Sequence, residues 1–400
     1  MTGRLSFLYA ALFFELGVSL PFFPLWLEAQ SLDADAIGIV LAAPLFTRVI
    51  ANPVVGALAD RSRRILTALV ICSVAVVIGT GFLAFTRGFL PILLLVIAIA
   101  LAQGPLIALT DTVALRHLKA HRSATLRYGR IRLWGSAGFA LANLTAGLML
   151  DWLPVSSIIG MLFVSAVVTA LAATAVAAMR LPPAAATSVF EADEHTGQPY
   201  LLALTIAGAA LVQASHAAIY GFGTMHWQSL GFSGGAMGGL WAAGVLSEIT
   251  FFGLVAHAAR SPAGAATLLA ASAAVAVLRW IGMAAGLDLA FIFLLQMLHG
   301  LTFGATHLAS IFLLARFAPP RMQAQVQAWL AASWAGLMAA LTGLAGFLYD
   351  KWGEHIYSLM AATAAAGFLL LVPVVVSLRK KASLPLVIGH EAAQPIQRLG

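Results

Sequence analysis

Apolar segments long enough to cross a lipid bilayer recur along almost the whole chain. A membrane-spanning helix needs roughly 20 apolar residues. Turn and charge breaks divide the sequence into twelve such segments: 4–28, 35–59, 65–86, 89–117, 127–151, 155–180, 200–229, 233–258, 264–286, 288–316, 323–350 and 354–378. Composition enters where it excludes an alternative. With 61% hydrophobic and 9% charged residues, the chain is far too apolar for a soluble globular domain, which carries about 25% charge. The expected fold class is all-α integral membrane.

The net charge of +7 does not point to nucleic acid, because the basic residues sit in short clusters between apolar spans rather than on one face. Placing both termini in the cytoplasm gathers Arg4, Arg61, Arg63, Arg64, Lys119, Arg122, Arg180, Arg260, Arg321, Arg379, Lys380 and Lys381 on one side, and leaves only Arg87 and Lys351 on the other. That asymmetry is the positive-inside pattern. The expected location is a bacterial-type inner (plasma) membrane. The first apolar stretch runs past Glu15 and Pro21 to Trp26 without a small-residue cleavage site, so it reads as a retained span. A single cysteine, Cys72, excludes a disulfide framework or a cysteine metal site within one chain.

A long polar interruption separates two sets of six spans. The expected organisation is an N-terminal bundle over 1–180, a cytoplasmic linker over 181–199, a C-terminal bundle over 200–378 and a cytoplasmic tail over 379–400. The halves echo one another in chain order. Trp26 aligns with Trp227, and Gly38 with Gly238; the run from Gln103 to Asp111 aligns with His299 to His307, and the run from Gly147 to Trp152 with Gly346 to Trp352. Parallel duplicated halves of this kind build major facilitator transporters, so the fold expected is the major facilitator fold with pseudo-two-fold symmetry. The alignment also carries Glu15 onto His216, Arg48 onto Glu248 and Asp111 onto His307. Polar positions recur while their chemistry differs.

Charged residues within spans need a reason, because each costs roughly 2.5–3.5 kcal/mol at a helix centre on insertion scales. Glu15, Arg48, Asp111, Glu248 and Arg279 lie well inside the spans, with His216, His299 and His307. A structural ion pair accounts for any one of them equally well. The whole set points instead to a shared polar cavity. Helical spacing groups them: Gln296, His299, Phe303 and His307 fall on one face of span ten, and Gln213, His216 and Tyr220 on one face of span seven. Tyr128, Arg132, Ser136, Phe139 and Asn143 line span five, and Gln103, Thr110 and Asp111 share a side of span four. Trp134 and Trp241 read equally as cavity lining or packing, and His226 and His257, near span ends, receive no role. No metal is expected, since His299 and His307 stand about 12 Å apart along their helix. No phosphate loop or serine triad occurs at usable spacing, and no enzyme activity is expected.

Gly56 to Arg64 enters a tight basic turn at the end of span two. Asp60 is placed to accept hydrogen bonds from a neighbouring helix N-terminus, and Arg61, Arg63 and Arg64 to meet lipid phosphates. The turn serves either topology alone or a latch that opens as the halves rock. Gly56, Leu58, Ala59, Asp60, Arg61, Arg63 and Arg64 resemble the signature of the major facilitator superfamily, without its inner glycine. A narrower resemblance is to the 3-phenylpropionate permease group, relatives of the lactose and nucleoside proton symporters. It rests on Pro21 to Leu27, Arg130 to Phe139, Glu248, and His299 with His307; His216 and Arg279 are not part of that pattern.

The resemblance implies proton-coupled symport of a small organic solute, either an aromatic carboxylic acid such as phenylpropionate or a nucleoside or sugar, through one central cavity. The proton is the only coupling species and no cofactor is expected. Candidate proton carriers are Glu15, Asp111, Glu248 and His307, whose proton affinity depends on the water and charges that face them. The substrate-binding candidates are Arg48, Gln103, Arg132, Trp134, Gln213, His216, Tyr220, Trp241, Gln296, His299 and Phe303, and the gating candidates are Gly56, Asp60, Arg61, Arg63 and Arg64. Proton-antiport export of a hydrophobic compound shares the same fold, and a membrane receptor or enzyme is the more distant alternative. The partners expected are the solute and membrane lipid, with the chain a monomer.

Overall fold

The structure, a computed structural model, describes residues 2–62, 64–118, 124–179, 198–255, 261–286, 288–319 and 322–383. Hydrocarbon offers no water to backbone N–H and C=O groups, so a lone spanning segment must satisfy them internally, as a helix does. Among the described residues the chain forms fourteen α-helices and no strand. The first half holds α1 (Thr2–Ala29), α2 (Ala34–Ser62), α3 (Ile65–Leu83), α4 (Phe89–Leu118), α5 (Ala124–Leu150) and α6 (Ser157–Ala177). The second holds α7 (Pro199–Ala214), α8 (Ala217–Ser229), α9 (Gly234–Val255), α10 (Pro262–Met283), α11 (Leu289–Met297), α12 (Ala305–Phe317), α13 (Gln323–Trp352) and α14 (Ile356–Ser383).

Ten stretches are long and apolar enough to cross a membrane, and the last, Gln325–Lys380, contains both α13 and α14. Glycine-rich α9, which carries Glu248, packs against α5 and α11 and completes the twelve crossing segments. Exposed Ile71, Phe82, Leu171 and Leu369 stand on outer surfaces that suit acyl chains. In the first half α1 packs on α5 and α6, and α4 on α2 and α3; in the second α14 packs on α7 and α10. The seam between the halves runs through α2 with α13 and α5 with α9.

The repeat is visible in the backbone. After α1, Leu32 N donates to Leu27 O (3.4 Å), and after α8, Phe232 N donates to Trp227 O (3.1 Å), the 6→1 bond that closes a helix. The residue at the left-handed position is Gly231 (φ 80°) in one half and Ser31 (φ 61°) in the other. Asp33 and Ser233 then cap the next helices, accepting from Ala36 N (2.9 Å) and Ala236 N (3.1 Å). Of these two turns, only the one at Ser31 sets a side chain against the left-handed backbone. Ser31→Gly is expected to stabilise the fold by about 0.5–1 kcal/mol, strain relief outweighing glycine's entropy cost. Thermal unfolding in detergent tests this, and a lowered midpoint contradicts it.

Glycine makes the seam close. A Cβ at Gly38 of α2 would lie 2.9 Å from Gly346 Cα of α13, and a Cβ at Gly147 of α5 would lie 2.9 Å from Gly238 Cα of α9. These crossings are equivalent under the repeat, and both stand at the end of the molecule away from the termini. Next to the second crossing, Asp151 accepts from Gly234 N (2.5 Å) and Gly235 N (2.9 Å), so a carboxylate from one half meets the positive end of a helix from the other.

The basic turn lies outside what the structure describes: Arg63 itself, together with the surroundings of Gly56 and the side chains of Asp60 and Arg61. Arg64 immediately precedes α3. Lys119, Arg122, Arg180, His257, Arg260, Arg321, residues 181–197 of the expected linker and 384–400 of the expected tail also lie outside the described residues.

Candidate functional site

Between the halves lies a cavity of about 590 Å³, lined from α1 to α6 on one side and from α8 to α11 and α13 on the other. Its first-half wall carries a three-member relay. Arg48 Nη2 donates to Gln103 Oε1 (2.7 Å), and Gln103 Nε2 donates to Glu15 Oε1 (2.7 Å). One amide thus joins a cation and an anion on three different helices and orients both. Glu15 Oε2 and Arg48 Nε are buried without a hydrogen-bond partner among the described residues, so the relay retains unused acceptor and donor capacity. Arg132, from α5, lies over the ring of Phe13 with its guanidinium carbon 4.1 Å from the centroid. Arg132 shares the cavity lining with Glu248 of α9.

The second-half wall depends on two interruptions of helical geometry. Between α7 and α8, Ser215 Oγ donates to Val212 O (2.7 Å), and His216 Nδ1 lies within 3.2 Å of Val212 O and 3.1 Å of Gln213 O. Such side-chain-to-backbone bonds compete with the helical ladder. Span seven therefore breaks where an uninterrupted helix over 200–229 is expected. Trp280 Nε1 donates to Ser215 Oγ (2.9 Å) and pins the break.

In span ten, α11 passes into α12 through a π-helical turn, Gly300–Gly304. Ser247 Oγ accepts from Gly300 N (2.9 Å), while the hydroxyls of Ser272 (3.0 Å) and Thr306 (2.7 Å) donate to Thr302 O. Hydroxyls thus take up backbone groups at the irregular turn, as a span in hydrocarbon requires.

These interruptions assemble a polar cluster around Arg279 of α10. Arg279 Nη2 donates to Gln296 Oε1 (2.6 Å), and Nη1 donates to Thr302 Oγ1 (2.9 Å). Nη1 also lies 3.3 Å from His216 Nε2 and 3.4 Å from His299 Nδ1. Aromatic groups complete the wall. Tyr220 stacks on Trp241 (6.0 Å between centroids), and His299 stacks on Phe303 (5.3 Å).

The candidates from the sequence divide clearly. Glu15, Arg48, Gln103, Arg132, Tyr220, Trp241, Glu248, Gln296, His299 and Phe303 line the cavity. Gln213 and His216 are buried behind it, His216 touching Arg279 from there. Trp134 is 55% exposed on the outer side of α5. Two residues beyond Arg132, it is rotated about 200° around the helix, which corrects its placement among the lining residues.

Asp111 lies outside the lining and accepts hydrogen bonds from the hydroxyls of Tyr9 and Tyr128. His307 is exposed and also outside the lining. The π turn accounts for this: one extra residue per turn rotates everything beyond it by about 100°, moving His307 off the face that carries Gln296 and His299. His226 pairs with Glu354 (3.7 Å) away from the cavity. Phe13, Phe23 and Trp334 line the cavity without having been singled out from the sequence, because nothing distinguishes an aromatic residue facing a cavity from one packed in a core.

The sequence model of a family described as "MFS_1 like family" matches residues 2–360. A "Probable 3-phenylpropionic acid transporter" of Escherichia coli (strain K12) is 31% identical over 94% of this chain and 98% of its own length. A "Maltose permease" of Geobacillus stearothermophilus is 28% identical, covering 91% of this chain and 92% of its own. Among solved structures, a point mutant of the nucleoside transporter NupG superposes with a TM-score of 0.80 at 17% identity, covering 93% of this chain and 99% of that one. Twelve apolar crossings, a central cavity and these likenesses agree: the chain belongs to the MFS_1-like family, and is an integral membrane transporter of the major facilitator fold.

Proposed function

We propose that this transporter imports a small organic solute together with protons by alternating access, that the solute is an aromatic carboxylate, and that the protein lies in a bacterial-type inner membrane with both termini cytoplasmic. The observation that carries the reading is the composition of the cavity. Two carboxylates, Glu15 and Glu248, share one space with three arginines and an aromatic wall of Tyr220, Trp241 and Phe303. Carboxylates facing a cavity between cations are fit to exchange protons as the access route changes. The aromatic wall and the arginines suit a solute with a flat ring and a negative charge. The relative's name, a 3-phenylpropionic acid transporter, supports the same solute class.

The mechanism needs no covalent step. The 1–180 and 200–378 halves rock about the cavity, and an empty carrier whose carboxylates are charged stays locked, while a protonated and loaded one turns over. Asp60 and the arginines of the basic turn serve as the latch on the terminus side. In proteoliposomes holding the full-length protein, an inward acid gradient should drive accumulation of 3-phenylpropionate, with protons disappearing from the outer medium as solute enters. Uptake indifferent to the gradient rejects symport. Proton movement opposite to the solute establishes antiport in its place.

A further inference from the structure

The three cavity arginines are not equivalent. Arg48 is joined through Gln103 to Glu15, so its charge has an anion at the far end of a two-bond relay. Arg132 lies over Phe13 and shares the cavity with the Glu248 carboxylate. Arg279 is only 1% exposed, and its hydrogen-bond partners among the described residues are uncharged. His216 shows why. Its Nδ1 faces two backbone carbonyl oxygens, which can only accept, so Nδ1 carries the proton and Nε2 is the lone-pair nitrogen turned toward Arg279 and Thr302. Neutral or protonated, an imidazole supplies no negative counter-charge. Gln296 and Thr302 supply none either.

The donor count leaves room for a ligand. A guanidinium offers five N–H donors in a planar fork. Gln296 Oε1 and Thr302 Oγ1 take two at 2.6 and 2.9 Å, and the histidine nitrogens stand at longer range. Nε is buried with no acceptor among the described residues, although the side chain borders the cavity. Trp280 backs the guanidinium at 4.5 Å from its ring centroid and holds the plane in place. A buried cation without an ion partner is costly, and a carboxylate matches the fork's geometry with two parallel hydrogen bonds.

We propose that Arg279 is the seat of the transported solute's carboxylate, with Gln296 and Thr302 positioning the fork and Tyr220, Trp241 and Phe303 receiving the aromatic ring. This assignment rests on the aromatic-carboxylate reading above and adds which arginine binds the anion. It leaves Arg48 and Arg132 to the two cavity carboxylates.

The test compares binding of 3-phenylpropionate and the uncharged 3-phenylpropionamide to purified full-length protein by calorimetry, with benzoate as a shorter probe. The wild type should prefer each carboxylate over the amide. Arg279→Gln, or Arg279→Lys with its point charge in place of the fork, should lose at least tenfold in carboxylate affinity while keeping amide affinity. Arg132→Gln, which removes another cavity cation, should weaken carboxylate binding less than Arg279→Gln does. Thr302→Asp covers the case in which the arginine variants do not fold, because it places a carboxylate beside Nη1. It should raise the thermal midpoint and cut carboxylate affinity at least tenfold.

A preference that survives Arg279→Gln or Thr302→Asp, or a loss in Arg132→Gln as large as that in Arg279→Gln, overturns the assignment. So does a wild type that binds neither 3-phenylpropionate nor benzoate. Carboxylate binding that depends on Arg279 but is never accompanied by proton-driven uptake leaves the assignment standing and removes the symport reading instead.

Discussion

Gly147→Trp is expected to abolish accumulation of solute and to open the end of the molecule away from its termini. The glycine faces Gly238 so closely that even one added carbon would lie 2.9 Å from that residue's Cα. Backbone cannot yield as a flexible side chain does, and overpacking by single methylenes already costs about 1–3 kcal/mol. An indole must therefore push α5 away from α9. Because this contact joins the two halves, the strain is relieved by separating them rather than by unfolding either one.

Gly346→Trp, at the equivalent crossing with Gly38, should behave alike. The measurement is labelling of a cysteine introduced at cavity-lining Leu41 by a membrane-impermeant maleimide added from outside, in a chain whose own Cys72 has been replaced. Faster labelling together with at least a tenfold loss of uptake is the expected result. Unchanged labelling with uptake intact would show that the glycine contact does not close the outer route.

The second large effect is expected at Glu248. Its side chain lines the cavity, is half-buried, and forms no hydrogen bond or ion pair within the described residues, whereas Glu15 is held by Gln103. A carboxylate without a fixed partner gains and loses a proton without dismantling a network. One held by an amide and coupled to Arg48 has to break that hold first. Glu248→Gln should thus eliminate acid-driven accumulation, by tenfold or more, yet leave solute exchange across the membrane intact, since exchange requires no net proton movement. Loss of exchange as well as accumulation would place Glu248 in solute binding or structure. Glu15→Gln should additionally lower the thermal midpoint, because it leaves Arg48 as a buried cation without an anion.

Several parts of this molecule could be read directly from residues. Twelve spans follow from apolar length because hydrocarbon permits few backbone solutions, and a helix is the one available to a single segment. The internal repeat was legible in Trp26 with Trp227 and in Gly38 with Gly238, and it reappears as paired turns and paired glycine crossings. That Glu15, Arg48, Glu248 and Arg279 would face a common space also followed, since several unpaired charges against lipid would be prohibitive, while Asp111, His216 and His307 of the same expected set lie outside it. The assumption of constant helical rotation succeeded in the middle of α5 and the first part of span ten, while Tyr128 and Asn143 at the ends of the α5 stripe lie outside the lining. It carried Arg132, Ser136, Phe139, Gln296 and His299 to the cavity.

The same assumption failed wherever a helix changed its pitch. The break at Ser215 and His216 and the π turn at Gly300–Gly304 depend on Trp280, Ser247 and Ser272, which come from other helices. Local sequence holds no record of those partners. Hydrophobic length and spacing by themselves determined how many times this protein crosses the membrane and which residues are too costly to leave in lipid. Only the tertiary structure decided which of those residues meet: that Arg48 finds Glu15 through an amide, that Asp111 is taken by two tyrosines, and that Arg279 is left facing neutral groups. The physical reason is that burial energy acts on each residue alone, while charge compensation belongs to pairs, and the pairs are made by packing.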